Sequence, residues 1–338
     1  MTTALAPLYP ASPDAGLFVA PPATSPDRHL LGLEGLSAAR LLELLDEADA
    51  YRVRWRTHGR APSNELRGVE VCNAFFEDST RTRASFELAE QRLGATHTTF
   101  STGGSSVSKG ESLLDTLQTL AAMGVDLIVI RHRSSGAAAY AARHLDVGVI
   151  NGGDGTHEHP TQGLLDLLTL RDAWNERFEG RRIAIVGDIA HSRVARSAIH
   201  GLSALGTEVT LAGPSTLMPA EIEALGVSVA ANVEDALAGA DAAMALRLQR
   251  ERMESGLLPS LSEYARVWGL TPARVALMKP EAVVLHPGPM NRGVEISPDV
   301  ADGERSRILA QVENGVAVRS AVLSRLARAA LERRASLA

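Results

Sequence analysis

Short apolar segments that resemble buried strands alternate with helix-like segments along nearly the whole chain, and this alternation constrains the fold more than any other feature. The first strand is predicted over 69–76, and a helix follows over 84–93 and ends at Gly94. Such alternation is typical of parallel sheets that are covered by helices. The other predicted strands are 96–101, 126–130, 147–150, 182–188, 208–211, 227–230, 242–246 and 282–286.

The chain is too long for a single hydrophobic core. At 338 residues it fits two domains of ordinary size. We therefore predict the α/β class, with two doubly wound parallel-sheet domains, a bridging helix near 162–173 and a long C-terminal helix over 316–333 that returns to the first domain. The expected boundaries are 1–27 for a flexible arm rich in proline and alanine, 28–162 plus 316–335 for the first domain, and 175–305 for the second.

Composition excludes several function classes. The net charge of −6 gives no reason to expect a nucleic acid or an anionic membrane as partner, and no apolar run approaches transmembrane length. The N-terminal arm lacks the basic and apolar regions of a secretory signal. The single cysteine, Cys72, lies in a predicted strand, so it is expected to fill the core in a reducing, cytoplasmic setting.

A candidate anion site lies between the first strand and its helix. The segment 75–83 reads Phe-Phe-Glu-Asp-Ser-Thr-Arg-Thr-Arg. Hydroxyls, guanidinium groups and the free N–H groups of a helix start together suit a phosphate-sized anion. On its own, this segment equally fits a helix cap followed by solvated arginines. The anion-binding side chains would be Ser79, Thr80, Arg81, Thr82 and Arg83.

Polar residues follow the carboxyl ends of six predicted strands. Ligands of open parallel sheets bind outside these ends. One such residue is easily accidental, but six of them from two domains predict a shared cleft. They are Arg81, Arg131, His159, Arg193, Arg247 and His286.

Neighbours of these residues extend the cleft. Gln162 lies three residues after His159 and shares its helix face. Arg247 and Gln249 lie on one side of an extended segment, an arrangement that suits the binding of a carboxylate. The alternative without a ligand is an exposed network of ion pairs. The segment 287–289, Pro-Gly-Pro, is either a rigid turn or a device that points the carbonyls of Pro287 and Gly288 at a ligand.

Competing motifs are weak. The strand end Val186-Gly187-Asp188 lacks the Gly-x-Gly-x-x-Gly spacing of dinucleotide sites, which disfavours a nicotinamide-dependent oxidoreductase. The loop 106–110 lacks the Gly-Lys-Ser/Thr order of a P-loop. His157 and His159 have no third ligand at a sensible spacing. We therefore expect no cofactor and no metal.

Taken together, these motifs resemble the aspartate/ornithine carbamoyltransferase family over residues 30–331. The landmarks are 75–87, then Ser105 to Glu111, Arg131-His132, His159 to Gln162, Arg247 to Gln249 and His286 to Pro289. The ornithine branch is expected to have cysteine where Thr161 stands and a Ser-Met-Gly element, and both are missing. The resemblance therefore implies transfer of a carbamoyl group from carbamoyl phosphate to the amine of L-aspartate, in the second step of de novo pyrimidine (UMP) synthesis. The alternatives are another acceptor such as ornithine, or a silent binding relative.

The resemblance also implies roles for individual residues. Ser79, Thr80, Arg81 and Thr82, with Arg131, would hold the phosphate. His159, Arg131 and Thr82 would face the carbamoyl oxygen and, with Lys109, form the catalytic set. The carbamoyl phosphate site would further include Ser105, Gln162, Pro287, Gly288 and Pro289, whereas L-aspartate would bind Lys109, Arg193, Arg247 and Gln249.

The remaining implications concern assembly. Ser105 and Lys109 would reach in from a neighbouring subunit, so that a homotrimer with shared sites is the minimal active form. Glu77 would pair with Arg193 and Arg252 when the domains close. Lys109 is one of only two lysines, the other being Lys279. Assembly with a dihydroorotase or a regulatory chain is possible on this resemblance, although the continuation Met290 to Glu295 resembles members that work without the regulatory chain.

Overall fold

Two parallel five-stranded sheets form the framework of the protein. The structure is a computed structural model, and it describes residues 28–101, 111–249, 257–258 and 260–337. In the first sheet the strand order is β1-β5-β4-β2-β3. Its strands are β1 (His29–Leu30), β2 (Glu70–Phe75), β3 (Thr96–Ser101), β4 (Leu127–His132) and β5 (Gly148–Asp154).

Helices cover both faces of the first sheet, and local signals explain where they begin and end. Ser112 caps one helix by accepting a 3.1 Å hydrogen bond from the Asp115 N–H. Gly94 ends another in the left-handed region, at a φ of 77°. The helices are α1 (Ala38–His58), α2 (Thr80–Leu93), α3 (Leu113–Ala122), α4 (Ala137–His144) and α5 (Pro160–Ala173).

The second sheet has the strand order β10-β9-β6-β7-β8. Its strands are β6 (Arg182–Val186), β7 (Glu208–Ala212), β8 (Ser228–Val229), β9 (Ala242–Ala245) and β10 (Val283–Leu285). The accompanying helices are α6 (Arg193–Ala204), α7 (Val233–Leu237), α8 (Leu261–Trp268), α9 (Pro272–Val275) and α10 (Pro298–Ala301), with 3₁₀ turns at Ser215–Leu217 and Ile222–Leu225.

Two helices join the halves of the molecule. Helix α5 packs against α1 and α11 on one side and against α6 on the other, and residues 160–170 are all buried. Helix α11 (Ile308–Leu337) leaves the second sheet and returns to pack on α1, α2 and α5. Because of these contacts, one hydrophobic cluster includes side chains of both sheets, such as Val129 and Ile185. The predicted fold class, with its bridging and returning helices, is confirmed.

Several predicted boundaries were wrong. Helix α2 begins at Thr80 rather than at 84, so the proposed anion-binding residues occupy its first turn. Strand β5 continues to Asp154 rather than ending at 150, because the Asn151 amide bonds the Leu31 carbonyl and Asp154 and so supports the Gly-rich end of the strand. Helix α11 begins at Ile308 rather than at 316, and α1 was not predicted. Among the described residues, no helix combines the length and apolarity that a membrane crossing requires.

Candidate active site

A cavity of about 520 Å³ opens where the carboxyl ends of the two sheets face each other. Its walls come from the β2–α2 connection, the ends of β4, β9 and β10, and the starts of α5, α6 and α11. All six strand-end residues that the sequence singles out line it, so the predicted shared cleft is confirmed. They are Arg81, Arg131, His159, Arg193, Arg247 and His286.

One corner of the cavity is the N-terminus of α2. Ser79, Thr80, Arg81 and Thr82 all line it, and the first-turn N–H groups of α2 belong to these residues. Much of the Arg81 side chain is exposed, but its guanidinium is partly desolvated. This desolvation, followed by the positive charge of Arg247, lowers the pKa of Arg81. Two like charges beside a helix start make this corner a site for an anion.

Beside the helix start, three groups from different elements line the same cavity. Thr82 Oγ1 lies 3.4 Å from His159 Nε2. The His159 N–H donates to Ser197 Oγ at 2.9 Å, which fixes the start of α5. Arg131 donates from Nη1 to the Gly152 carbonyl at 3.0 Å. This set of a hydroxyl, an imidazole and a guanidinium is suited to stabilising charge on a carbonyl oxygen.

Glu77 connects the two halves of the cavity. Its carboxylate accepts hydrogen bonds from Arg131 at 3.0 Å and from Arg193 at 2.6 and 3.2 Å. Gly153 makes this approach possible, because a Cβ there would lie 2.9 Å from Arg131 Nη1 and 3.0 Å from Arg193 Nε. The Glu77–Arg193 pairing implied by the resemblance is present, whereas Arg252 lies outside the described residues.

A hydrogen-bonded network supports a third corner. Gln162 Nε2 donates to Asp166 Oδ1 at 2.9 Å. Beside it, the His286 Nδ1 accepts from the Gly288 N–H at 2.8 Å, which requires the Nε2–H tautomer that donates to Glu295 Oε1 at 3.1 Å. These bonds hold the turn at Pro287 to Pro289, in which the Gly288–Pro289 peptide bond is cis.

Gly288 lies close to the anion corner. Its φ of 64° is in the left-handed region, and a Cβ at this position would lie 3.3 Å from Arg81 Cζ. Glycine therefore lets the turn approach the Arg81 guanidinium.

Arg247 and Gln249 form the wall on the side of the second sheet. Both line the cavity, while Leu248 between them is buried in a separate apolar cluster. This is the alternation expected of an extended segment. The Gln249 N–H donates to Asp188 Oδ2 at 3.4 Å, so the segment is tied to the end of β6.

Apart from Arg83, every predicted site residue that the structure describes lines the cavity, together with some residues that were not predicted. Arg83 lies outside the lining and pairs with Glu87 at 3.9 Å, because two residues along a helix turn its side chain about 200° away from that of Arg81. Ser105 and Lys109 lie outside the described residues. Arg319 on α11 also lines the cavity, and burial lowers its pKa to about 10. A charged residue inside the apolar run 316–323 was the available signal for it. The other missed lining residues include Asp78, Ser85, Ser192 and Gln311.

Comparison with protein families assigns both halves of the chain. The model described as "Aspartate/ornithine carbamoyltransferase, carbamoyl-P binding domain" matches residues 28–172. The model described as "Aspartate/ornithine carbamoyltransferase, Asp/Orn binding domain" matches residues 179–326.

Individual relatives and solved structures agree with this assignment. The aspartate carbamoyltransferase catalytic subunit of Gluconobacter oxydans (strain 621H) is 56% identical over 310 residues, which cover 91% of this chain and 98% of that protein. A crystal structure of aspartate transcarbamoylase from Trypanosoma cruzi in complex with carbamoyl phosphate has a TM-score of 0.79 at 30% identity and covers 89% of this chain and 96% of that one. A crystal structure of ornithine carbamoyltransferase from Thermus thermophilus also has a TM-score of 0.79, at 26% identity, and covers 90% and 99%.

Proposed function

The chain belongs to the aspartate/ornithine carbamoyltransferase family, and on this premise we propose how its cavity transfers the carbamoyl group of carbamoyl phosphate to the amine of L-aspartate. The products are N-carbamoyl-L-aspartate and phosphate. One observation carries the proposal: a single cavity holds an anion-binding helix start from the first sheet and a second group of guanidinium side chains from the second sheet.

The phosphate of the donor binds at the start of α2. Ser79, Thr80 and Thr82 contribute hydroxyls and N–H groups, and Arg81 contributes a guanidinium. Each charge-assisted hydrogen bond contributes roughly 1.5–3 kcal/mol, and the helix start adds about 0.3–2 kcal/mol. This local concentration of positive charge gives an anionic substrate a site on a chain whose net charge is −6.

The reaction is a direct acyl transfer. The neutral amine of aspartate attacks the carbamoyl carbon, a C–N bond forms, and the C–O bond to phosphate breaks. Negative charge that develops on the carbonyl oxygen is stabilised by Arg131, Thr82 and His159. The proton on the attacking nitrogen passes to the departing phosphate. The residues invoked here bind and orient the two substrates, and proximity supplies much of the acceleration.

Charge selects the acceptor. Arg193, Arg247 and Gln249 lie on the acceptor side of the cavity and suit the two carboxylates of aspartate. Ornithine has one carboxylate and a side-chain ammonium, which these guanidinium groups would repel. Thr161 and the missing Ser-Met-Gly element also support aspartate over ornithine.

The active form is a homotrimer in which Ser105 and Lys109 complete the neighbouring site. The apolar rim of the cavity supports this, since Leu309 is 83% exposed and Val312 is 56% exposed. On this assignment, 28–162 with 316–335 binds carbamoyl phosphate and 175–305 binds aspartate. A cytoplasmic location, a place in pyrimidine synthesis and any association with a dihydroorotase or a regulatory chain stay predictions.

The test is carbamoyl transfer from carbamoyl phosphate to L-aspartate and, in parallel, to L-ornithine, using the purified chain alone. We expect product from aspartate only. Product from ornithine only would overturn the choice of acceptor. If neither is carbamoylated, a titration with carbamoyl phosphate distinguishes a silent binding relative from a chain that does not bind the donor.

A further inference from the structure

A buried carboxylate lies behind the cavity and contacts two of its walls. Asp166 on α5 is 1% exposed and does not line the cavity itself. Its Oδ1 atom accepts one hydrogen bond from Gln162 Nε2 at 2.9 Å and another from Gln311 Nε2 at 2.7 Å. A single acceptor therefore holds a side chain of α5 and a side chain of α11.

The rest of the network fixes the direction of both amides. Gln311 Oε1 accepts a 2.9 Å hydrogen bond from the His286 N–H, so its NH₂ group must face Asp166. Gln311 thereby ties Asp166 to the backbone that leads into Pro287 and Gly288. Because Gln162 also turns its NH₂ group to Asp166, the atom of its amide that remains for a ligand is the acceptor Oε1.

We propose that Asp166 is a positioning residue that makes the cavity recognise the NH₂ group of the carbamoyl donor. This inference rests on the proposed function. A carbamoyl group offers two N–H donors, whereas an acetyl group of similar shape offers none. With Asp166 in place, the NH₂ of the carbamoyl group faces Gln162 Oε1 and the carbonyls of Pro287 and Gly288, which are all hydrogen-bond acceptors. A reversed Gln162 amide would instead bring its own NH₂ against the NH₂ of the carbamoyl group.

Burial raises the pKa of Asp166 to about 7, although the hydrogen bonds from Gln311 and Gln162 and the positive charge of Arg319 on α11 act against this rise. Arg319 Nη1 itself donates to the Gly315 carbonyl at 2.9 Å, so the guanidinium stays near the network without replacing either amide. Because Oδ1 accepts from both glutamines, a proton on Asp166 resides on Oδ2, and Oδ1 is an acceptor in either protonation state. This excludes the reversed Gln162 amide, whose oxygen would face the Oδ1 acceptor.

The experiment compares carbamoyl phosphate with acetyl phosphate, which has a methyl group in place of the NH₂, and uses inorganic phosphate as the reference. Dissociation constants for carbamoyl phosphate, acetyl phosphate and inorganic phosphate are measured on the full chain and on Asp166→Leu, which keeps the shape of the side chain but removes both acceptors. We expect carbamoyl phosphate to bind about tenfold more weakly to the variant, as for one lost hydrogen bond. Acetyl phosphate and phosphate should keep nearly wild-type affinity, so the preference for carbamoyl over acetyl phosphate is lost.

A conservative variant separates positioning from a merely structural role. Asp166→Asn retains an acceptor oxygen for both glutamines and should recover most of the preference. If Asp166→Leu does not fold, as judged by its thermal transition, the smaller Asp166→Ala takes its place. Equal weakening of all three ligands, or an unchanged preference, would overturn the inference. If the wild-type chain binds none of the three ligands, the proposed function fails instead.

Discussion

Glu77, at the end of the first sheet, accepts a 2.6 Å hydrogen bond from Arg193 at the start of α6, and the same oxygen accepts a 3.0 Å bond from Arg131. One carboxylate thus joins a residue proposed to bind the donor to a residue proposed to bind the acceptor. Without Glu77, two guanidinium groups would face each other across Gly153. We infer that Glu77 sets the distance between the two halves of the cavity.

Glu77→Gln should therefore impair aspartate use more than donor binding. Loss of the negative charge leaves Arg131 and Arg193 to repel each other, so we expect kcat/KM for aspartate to fall about tenfold to a hundredfold, in line with weakened charge-assisted bonds. The dissociation constant of carbamoyl phosphate should change less, because Arg131 keeps its hydrogen bond to the Gly152 carbonyl. Steady-state kinetics with each substrate varied in turn checks this, with Glu77→Asp as the control. An equal loss for both substrates would contradict the inference.

Arg81 should couple anion binding to stability. A ligand that binds only the folded chain stabilises it by about 2.7 kcal/mol at one hundred times its Kd, so phosphate should raise Tm. Arg81→Ala should nearly abolish this rise. Without ligand it should leave Tm unchanged or slightly higher, since it removes one of two neighbouring positive charges.

Arg83 provides the matched control for Arg81. It lies two residues along α2, outside the cavity lining, and pairs with Glu87 at 3.9 Å. Arg83→Ala should keep the rise in Tm that phosphate produces. Differential scanning fluorimetry across a phosphate titration measures both variants. A full phosphate effect in Arg81→Ala would show that the anion binds elsewhere.

Strand ends were the most predictable part of the site. The predicted strands placed Arg131 and His286 at carboxyl ends, and parallel pairing then brings such residues to one edge regardless of loop detail. Helix α1 was missed although Leu41, Leu44, Leu45 and Ala48 follow a helical period after the Ser37 cap. The many charged residues of α1 made this apolar stripe difficult to recognise in the sequence.

Tertiary partners account for the rest of the difference. The start of α11 carries Asn314 and Gly315, a pair that normally indicates a turn. In the fold, Asn314 donates to Thr169 Oγ1 at 2.9 Å, and the Gly315 carbonyl accepts from Arg319. Gly315 also allows close packing, because a Cβ there would lie 2.7 Å from Arg319 Nη1. The partner of Asn314 belongs to a distant segment, so no local pattern predicts that contact, and the same holds for Asp166 with Gln311.

His29 should make the protein acid-sensitive. Its Nδ1 accepts a 3.0 Å hydrogen bond from the Val149 N–H, which requires a neutral ring. Burial, followed by the charges of Arg28 and Arg333, lowers the pKa of His29 to about 4, from 6.5. Between these values the unfolded chain binds a proton that the folded chain does not. The contribution of His29 to stability is therefore complete above pH 6.5 and is lost as the pH falls towards 4.

The His29→Asn variant separates this effect from general acid unfolding. An Asn oxygen replaces the acceptor of the ring but does not titrate. We expect the wild-type Tm to fall more steeply than that of His29→Asn from pH 7 to pH 4, at up to about 1.4 kcal/mol of unfolding free energy per pH unit. If the Tm of the two proteins falls equally steeply with pH, another group controls the loss of stability at low pH.

Variants of Lys109 test most directly whether neighbouring subunits share an active site. We expect Lys109→Arg to lower turnover severely although the charge is kept, because the guanidinium fork is bulkier than an ammonium. Lys109→Ala and Arg81→Ala should each be inactive alone. If Lys109 serves the neighbouring subunit, a mixed trimer contains a site built from intact Arg81 and intact Lys109. Mixing the two inactive chains should then restore part of the activity, while no homotrimer can. Exchange is followed with a charge-tagged chain on native gels, and inactivity despite exchanged subunits would show that each chain uses its own lysine.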